Sequence, residues 1–228
     1  MKKTMISIAL VNALVMSTNA SAYEKGDMLL RVGLTTVSPD ESSSNITLGG
    51  ADLGFGLSVD SNTQMGINLA YFLTDNINIE LLAATPFTHD IQVNENQLGL
   101  TTLGETTHLP PTLSVNYFFA DSGAAFQPYL GIGINYTIFF DEEFTDVNEG
   151  LGFSDLDLDA SLGYSVQAGV DYVVDTHWLV NASIRYIDIS TDASFTLNNE
   201  ALAANNASGE VSVDIDPYVY TLSIAYKF

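Results

Sequence analysis

The chain contains no cysteine and has few basic residues. Without thiols, a disulfide framework and cysteine-ligated metal sites are both excluded. Lysine and arginine together number six against 28 acidic residues, which gives a formal net charge of −22. Because neutralising nucleic-acid phosphates requires basic side chains, we expect no nucleic-acid partner.

A long apolar run is also absent. The most apolar stretch lies near the N-terminus, from Ile6 to Met16, and is shorter than the roughly 20 residues that a bilayer-spanning helix needs. It follows Lys2 and Lys3 and precedes Ala20-Ser21-Ala22, which are small residues typical of a cleavage site. Residues 1–22 are therefore predicted to be a secretory signal peptide that is cleaved, and residues 23–228 are predicted to form one domain.

Regular alternation of apolar and polar side chains is the main pattern after residue 22. From Tyr218 to Phe228, every second residue is aromatic or aliphatic, and the residues between them are smaller or polar. Period two indicates a β-strand. Seven further segments have the same alternation, namely 27–37, 63–72, 77–85, 112–119, 127–138, 160–173 and 178–189.

The connections between these segments alternate strictly between long and short. Long polar stretches occupy 38–62, 86–111, 139–159 and 190–217, whereas the other connections are as short as TDNI. Long external loops and short periplasmic turns are typical of outer-membrane barrels. We therefore predict an all-β fold, an eight-stranded antiparallel transmembrane β-barrel. A soluble β-sandwich is the alternative, but aromatic residues at the ends of the apolar faces favour two membrane-interface girdles.

Several sequence blocks also resemble a known family. They include ELLAATPFTH at 80–89, HLPPTLSVNYFF at 108–119, QPYLGIGINYTIFF at 127–140 and WLVNASIRYIDI at 178–189. Together they resemble the outer membrane protein W family of small bacterial barrels. The resemblance implies passage of small apolar compounds across the outer membrane, with a sideways exit through the barrel wall. It also implies that Leu82 forms an apolar constriction of the lumen and that Phe228 is a signal for the barrel-assembly machinery.

Three charged residues are predicted to meet inside the barrel. Arg31, Glu80 and Arg185 fall on inward-facing positions of their segments, and charges at membrane depth must pair or contact water. At the position of Arg185, the family resemblance implies a bulky apolar residue. An arginine at this position is not expected in a uniformly apolar conduit. The cluster acts either as a polar gate or as a structural plug of a narrow bore.

Other inward positions are apolar, small or charged. Leu29 and Phe118 are further candidates for lining the lumen, and Asp171 and Lys227 are predicted to lie nearer the periplasmic end. Inward glycines such as Gly131 leave volume unfilled. That volume either forms a narrow cavity or accommodates large neighbouring side chains.

Prolines mark the external ends of the third and fourth segments. Pro86 on one side, and Pro110 with Pro111 on the other, donate no backbone hydrogen bond. The wall between these strands is therefore expected to be weak near Thr85, which would allow a lateral opening into lipid. The alternative is that the prolines only end the strands and direct the second long loop.

Features of enzymes and metal sites are sparse. His89 and His108 share the second long loop, which we expect to be flexible, and their neighbours offer no dense spacing of ligands. The acidic residues of the third loop, including Asp155, Asp157 and Asp159, lack the glycine and distal glutamate of a calcium loop and are expected to face solvent. No sequence motif marks a catalytic triad. We predict no enzyme activity, no cofactor and no metal.

Two hypotheses of function remain. The first is an outer-membrane channel or transport protein for small, mainly hydrophobic molecules, with lateral exit through the barrel wall. The second is a closed barrel that acts through its external loops as an adhesion, receptor or envelope-integrity protein. The expected partners are outer-membrane lipid and lipopolysaccharide, the barrel-assembly machinery and small apolar solutes.

Overall fold

The fold is described from a computed structural model for residues 22–94, 101–121, 123–200 and 204–228. The predicted signal peptide lies outside the described residues except for Ala22, so it stays a prediction. Among the described residues, no helix is long and apolar enough to cross a membrane.

These residues form one short helix and 17 strands. In chain order they are β1 (Met28–Ser38), β2 (Ser42–Ser43), β3 (Thr47–Leu48), β4 (Ala51–Asp52), β5 (Leu57–Val59), β6 (Asn62–Phe72), β7 (Ile77–Ala84), β8 (Phe87–Val93), β9 (Thr102–Leu109), β10 (Thr112–Phe118), β11 (Phe126–Phe144), α1 (Asp146–Gly150), β12 (Phe153–Leu158), β13 (Ser161–Val173), β14 (Trp178–Ile187), β15 (Ser190–Asn199), β16 (Ala204–Asp214) and β17 (Tyr218–Lys227).

Eight of these strands close into an antiparallel barrel, in the order β1, β6, β7, β10, β11, β13, β14 and β17. The last strand returns to the first, with a register that runs from Leu29 opposite Lys227 to Ser38 opposite Tyr218. The predicted eight-stranded antiparallel barrel is confirmed. We call the end with the short turns the periplasmic end. Its turns lie at 73–76, at 119–121 with 123–125, and at 174–177.

The barrel is apolar outside and largely polar inside. Along β17, exposed and buried residues alternate from Tyr218 to Ala225, as the pleat of a strand requires. Outward side chains such as Ile132, Leu162 and Leu222 are 70%, 75% and 62% exposed. An apolar band of this size facing outwards is the surface that a barrel presents to lipid.

Aromatic side chains border this band at both ends. The periplasmic girdle includes Trp178 and Tyr226, whose ring centroids are 5.0 Å apart. The external girdle includes Tyr164, Tyr186 and Tyr218, which contact one another in sequence around the wall. Aromatic rings with a polar edge favour the membrane interface, so the two girdles delimit the membrane-spanning part of the barrel.

The four long connections are folded as strands rather than as irregular loops. We call residues 38–62, 86–111, 139–159 and 190–217, where described, the external extension. The β8–β9 hairpin pairs with β11, and the β15–β16 hairpin pairs with β12, β2 and β3. One face of each hairpin is apolar and buried, so the extension has a hydrophobic core of its own.

Replacing Leu222 with arginine tests the lipid-facing register. Leu222 lies between the two girdles, so the substitution should lower the free energy of unfolding by about 2 to 4 kcal/mol. Urea unfolding in lipid vesicles measures this change. The control is Val147→Arg, at an apolar site of the external extension that is 72% exposed. The control should change the same free energy by less than about 0.5 kcal/mol, and equal effects of the two substitutions would contradict the register.

Candidate functional site

A layer of buried apolar residues fills the lumen at its periplasmic end. Tyr23 stacks on Phe72 with 4.1 Å between ring centroids, and Phe118 contacts Tyr129 at 4.9 Å. Each of these four side chains is at most 2% exposed. We call the layer the periplasmic plug, and its members are Ala22, Tyr23, Leu29, Ala70, Phe72, Phe118, Tyr129, Leu179 and Ala225.

Four charged residues meet next to the plug, and we call Arg31, Glu80, Asp171 and Arg185 the ion cluster. Arg31 donates to Oε2 of Glu80 at 2.5 Å and to Oδ2 of Asp171 at 2.7 Å. Arg185 donates to Oε1 of Glu80 at 2.8 Å. All four are at most 4% exposed. Two cations and two anions form a neutral set, and pairing of this kind is what makes charges tolerable at membrane depth.

Amide side chains extend the ion cluster into a network. Gln167 accepts a hydrogen bond from Arg185, and it donates to Oε1 of Glu80 at 3.2 Å and to Asn116. Asn116 in turn donates to Asn78 at 2.9 Å. Because each group orients the next, the network fixes the positions of the charges across the bore.

The inward glycines provide space for this packing. A Cβ atom at Gly131 would lie 1.9 Å from Oδ1 of Asn116, and one at Gly169 would lie 2.4 Å from the ring of Tyr129. The volume beside these glycines is therefore occupied by neighbouring side chains. Of the two interpretations of the inward glycines, accommodation is correct at these two positions.

The external extension encloses two cavities that share Leu103 and Phe195 in their walls. The outer cavity has a volume of about 400 Å³ and is lined by apolar side chains that include Phe55 and Phe153. The inner cavity has a volume of about 30 Å³, which is close to the volume of one water molecule. Its wall includes His89, Thr106 and His108 among apolar residues.

The two histidines are buried side by side at the inner cavity. Each is 2% exposed, and their ring centroids are 4.9 Å apart. Nδ1 of His89 lies 2.7 Å from the carbonyl oxygen of Asp60. Burial lowers the pKa of His89, and it lowers the pKa of His108 to about 3, with a smaller contribution from His89. Both rings are therefore neutral at pH 7.

The expectation that the histidines lie in a flexible loop is wrong. His89 is on β8 and His108 is on β9, where it is paired with Phe87. The alternation of buried and exposed residues along both strands directs the two rings inwards. Among the described residues, no group of three or more histidines and carboxylates is close enough to hold a metal ion.

The wall between β7 and β10 contains a seam that lacks strand pairing. The β7–β10 ladder ends where Leu82 is opposite Thr112, and the β8–β9 ladder begins where Phe87 is opposite His108. Within the described part of the chain, no ladder pair joins 83–86 to 109–111. Ala83 and Ala84 pair only with β6, and the backbone N–H of Thr85 donates to Met65 at 3.0 Å.

Each sequence-predicted candidate for the seam lies along this gap. Thr85, Pro86 and Pro111 are exposed, whereas Pro110 is buried. The predicted break in hydrogen bonding is therefore present in the structure. Its role as an opening stays a prediction.

The lumen candidates fall into different layers. Arg31, Glu80 and Arg185 meet as predicted. Leu29 and Phe118 belong to the periplasmic plug, so they lie apart from Leu82, which is 3% exposed beyond Glu80 on the external side. Leu82, where the constriction is predicted, is an inward-facing residue. Whether it constricts the lumen stays a prediction.

Asp171 is the functional residue whose role the sequence did not indicate. It lies towards the periplasmic end as predicted, and Lys227 lies 3.4 Å from Asp27 at the same end. However, the long Arg31 side chain reaches Asp171 across the bore, and Tyr23 donates a hydrogen bond to it. Charge balance was the feature of the sequence that could have indicated this role, because Arg31, Arg185 and Glu80 alone leave one positive charge unpaired.

Phe228 occupies an exposed site at the periplasmic end. Its backbone N–H donates to Met28 at 3.0 Å, and its ring lies 4.9 Å from that of Tyr226. The last residue is thus held at the junction of β1 and β17, with 67% of its surface exposed. Its role as an assembly signal stays a prediction.

Comparisons with known proteins agree with this architecture. The OmpW family model matches residues 24–228. Outer membrane protein W of Escherichia coli is 43% identical over the full length of both chains. The crystal structure of the outer membrane protein OprG from Pseudomonas aeruginosa has a TM-score of 0.86 and 41% identity, covering 92% of this chain and 99% of that one. A dibenzothiophene metabolism operon protein, PahQ of Pseudomonas aeruginosa, is 26% identical over 97% of this chain and 98% of its own length.

Replacing Glu80 with glutamine tests the ion cluster. The substitution keeps the size of the side chain but removes the anion between Arg31 and Arg185, which leaves uncompensated charge in a buried site. We expect the free energy of unfolding to fall by about 3 to 5 kcal/mol. The matched control is Glu210→Gln at an exposed site of β16, where a change below about 0.5 kcal/mol is expected. Unchanged stability of the Glu80 variant would show that the ion pairs contribute nothing to folding.

Acidification tests the buried histidines. Because the pKa of His108 is lowered from 6.5 to about 3 in the folded protein, only the unfolded segment takes up a proton between these values. The stability of the β8–β9 hairpin should therefore fall by about 3 kcal/mol from pH 7 to pH 4. Amide hydrogen exchange of β8 and β9, corrected for the intrinsic effect of pH, measures this loss. His108→Phe should remove most of it, and an identical loss in that variant would assign the pH dependence to other groups.

Proposed function

The chain belongs to the OmpW family of outer-membrane β-barrels, and from this membership we propose that it carries small, mainly apolar molecules from the cell exterior into the outer membrane. The proposed role involves binding and release only, without a chemical reaction. The observation that carries the proposal is the apolar outer cavity of the external extension, which lies above a filled lumen.

The outer cavity is suited to shelter an apolar solute from water. Its volume is about 400 Å³ and its wall is made of leucine, isoleucine, valine and phenylalanine side chains. Leu53 and Leu151, which line the outer cavity, are 36% and 39% exposed. Each Å² of apolar surface removed from water contributes about 25 cal/mol, so a small hydrocarbon gains free energy on leaving the external solution for this cavity.

The filled lumen favours a lateral exit over an axial one. The ion cluster and the periplasmic plug occupy successive layers of the bore, and an eight-stranded barrel has little space beyond its own side chains. A solute that crossed these layers would have to displace paired charges. Release at the seam avoids that cost, because the solute moves from an apolar cavity directly into lipid.

The seam lies beside the cavities. His108 lines the inner cavity and is the first residue of β9 paired with β8 beyond the gap. Ala84, on the other side of the gap, packs against the hydrophobic core of the external extension. Pro86, Pro110 and Pro111 cannot donate the hydrogen bonds that would close the wall. These positions bring the seam next to the inner cavity.

The name of one relative supports an apolar solute. PahQ is named for dibenzothiophene metabolism, and dibenzothiophene is an apolar heteroaromatic compound. We therefore include flat aromatic compounds as well as hydrocarbons in the proposed solute class.

A second function is favoured by the same filled bore. A closed barrel that works through its external extension, as an adhesion, receptor or envelope-integrity protein, needs no passage at all. Asp157, Asp159, Asp192 and Glu210 lie close together on one polar face of the extension and would be the surface for such a role. Under either function, we propose lipopolysaccharide as the surrounding lipid and the barrel-assembly machinery as the partner that reads Phe228.

A disulfide across the seam distinguishes the two functions. Extending the register from the Leu82 and Thr112 pair towards the external end brings Ala84 opposite Pro110, so we choose Ala84→Cys with Pro110→Cys. The chain has no other cysteine, so only the intended bond forms within it. Oxidation should reduce uptake of the apolar dye N-phenyl-1-naphthylamine to the rate in cells that lack the protein.

The reduced form of the same variant is the control. It has the same two substitutions but an open seam, so dithiothreitol should restore uptake. Heat-modified migration in gels checks that both forms are folded. Full dye uptake with the disulfide demonstrably formed would contradict the lateral route, and absence of uptake in wild-type cells would favour the second function.

A further inference from the structure

We infer that the inner cavity binds a hydroxyl group, so that the external extension selects apolar molecules with one hydroxyl, such as alcohols and phenols. The inference deepens the proposed function, because it names the class of solute within the proposed route, but binding at the cavity is measurable without transport. It rests on the unpaired polar atoms of three side chains in a mainly apolar wall.

Three polar atoms at the inner cavity are buried without a partner. Among the described residues, none forms a hydrogen bond with Nε2 of His89, Nε2 of His108 or Oγ1 of Thr106. All three side chains line the same cavity and are at most 5% exposed. Buried polar groups in folded proteins are nearly always paired. An unpaired set on one cavity wall therefore requires a small partner with complementary polar atoms, which is either an ordered water or a ligand hydroxyl that replaces it.

The hydrogen bond between His89 and Asp60 determines whether His89 requires a donor or an acceptor from a ligand. Its Nδ1 lies 2.7 Å from the backbone carbonyl oxygen of Asp60, and a carbonyl oxygen only accepts. In the neutral ring, Nδ1 therefore carries the hydrogen and Nε2 has a lone pair. His89 consequently requires a hydrogen-bond donor from the ligand, which a ketone, an ether or a hydrocarbon does not supply.

A hydroxyl group satisfies more than one of the three atoms. It donates one hydrogen bond and accepts others, so it donates to His89 and accepts from the hydroxyl of Thr106 or from an Nε2–H of His108. The ring of His108 is 4.9 Å from that of His89 between centroids, which leaves a small group space to contact both. A charged ammonium or carboxylate is disfavoured, because the remaining wall is apolar except for Thr191, whose hydroxyl is already paired.

The sizes of the two cavities match the two parts of such a molecule. The inner cavity, at about 30 Å³, has room for a group as large as one water molecule. The outer cavity, at about 400 Å³, has room for a hydrocarbon tail. Leu103 and Phe195 line both cavities and mark where the tail would meet the hydroxyl-bearing carbon.

The test compares two isomeric probes of equal chain length, 1-octanol and 1-methoxyheptane, of which only the alcohol has a hydroxyl hydrogen to donate. The wild-type protein in lipid nanodiscs is labelled with ¹⁵N in its histidine rings and titrated with each probe at equal concentration in the lipid. Octanol should shift the ring resonances of His89 and His108 saturably. The ether should bind about tenfold more weakly, the factor expected for one lost hydrogen bond. His177 lies in a periplasmic turn, so its resonance should not move.

Two matched threonine variants separate the site from general packing. Thr106→Val removes an unpaired hydroxyl that can donate to the oxygen of either probe, so it should weaken the binding of both. Thr191→Val alters the same cavity wall, but the hydroxyl of Thr191 already donates to Asp159 at 2.7 Å. The second variant should therefore leave the affinities of both probes unchanged. Folding of each variant is checked by its amide spectrum.

Equal affinities of the two probes, or shifts that are absent from His89 and His108, would overturn the hydroxyl site. Such a result would leave the proposed function intact if dye uptake still depended on an open seam, since the dye has no hydroxyl. In the reverse case, a preference for octanol with seam-independent dye uptake would support the site and reject the proposed route.

Discussion

The requirement that every backbone N–H and C=O in lipid finds a partner determines most of this structure. Pairing of β17 with β1 removes the free edges, which makes the barrel the unit of folding. The same requirement makes the seam unusual, because backbone pairing is incomplete there. Prolines at Pro86, Pro110 and Pro111 are missing donors at the external end of the wall, and the ladder is interrupted there. A local defect in hydrogen bonding is tolerated where the wall approaches the membrane surface.

Closure with only eight strands has a second consequence, because it leaves an interior that side chains fill. Polar groups in that interior must satisfy one another. Arg31 and Arg185 share Glu80, and Asp171 supplies the second negative charge. Binding of an apolar molecule is therefore excluded from the bore by its own packing. The apolar cavities lie above the membrane instead, in the external extension.

The barrel strands were predictable from the sequence to within a few residues. β6 covers Asn62–Phe72 against the predicted 63–72. Lipid-facing side chains are apolar in every barrel strand, so the alternation can be recognised without knowing which strands pair. The external strands were missed because several of their buried residues, such as His89 and His108, are polar, so their alternation is weaker than that of the barrel strands. Val211 and Val213 alternate with polar residues in β16, and the average composition of that segment is polar. Contacts across the bore, such as that between Arg31 and Asp171, depend on side-chain reach and not on any local pattern.

The position of the ion cluster relative to the seam explains how a weak wall is compatible with a stable barrel. Glu80 is opposite Ser114, and the β7–β10 ladder continues from there to the pair formed by Leu82 and Thr112. Because Glu80 is held by both arginines and Gln167, its strand cannot separate from β10 without disturbing the charge network. Any separation of the two strands is therefore confined to the residues beyond Leu82. The network that fills the bore also limits the proposed opening to the side of the wall that the cavities reach.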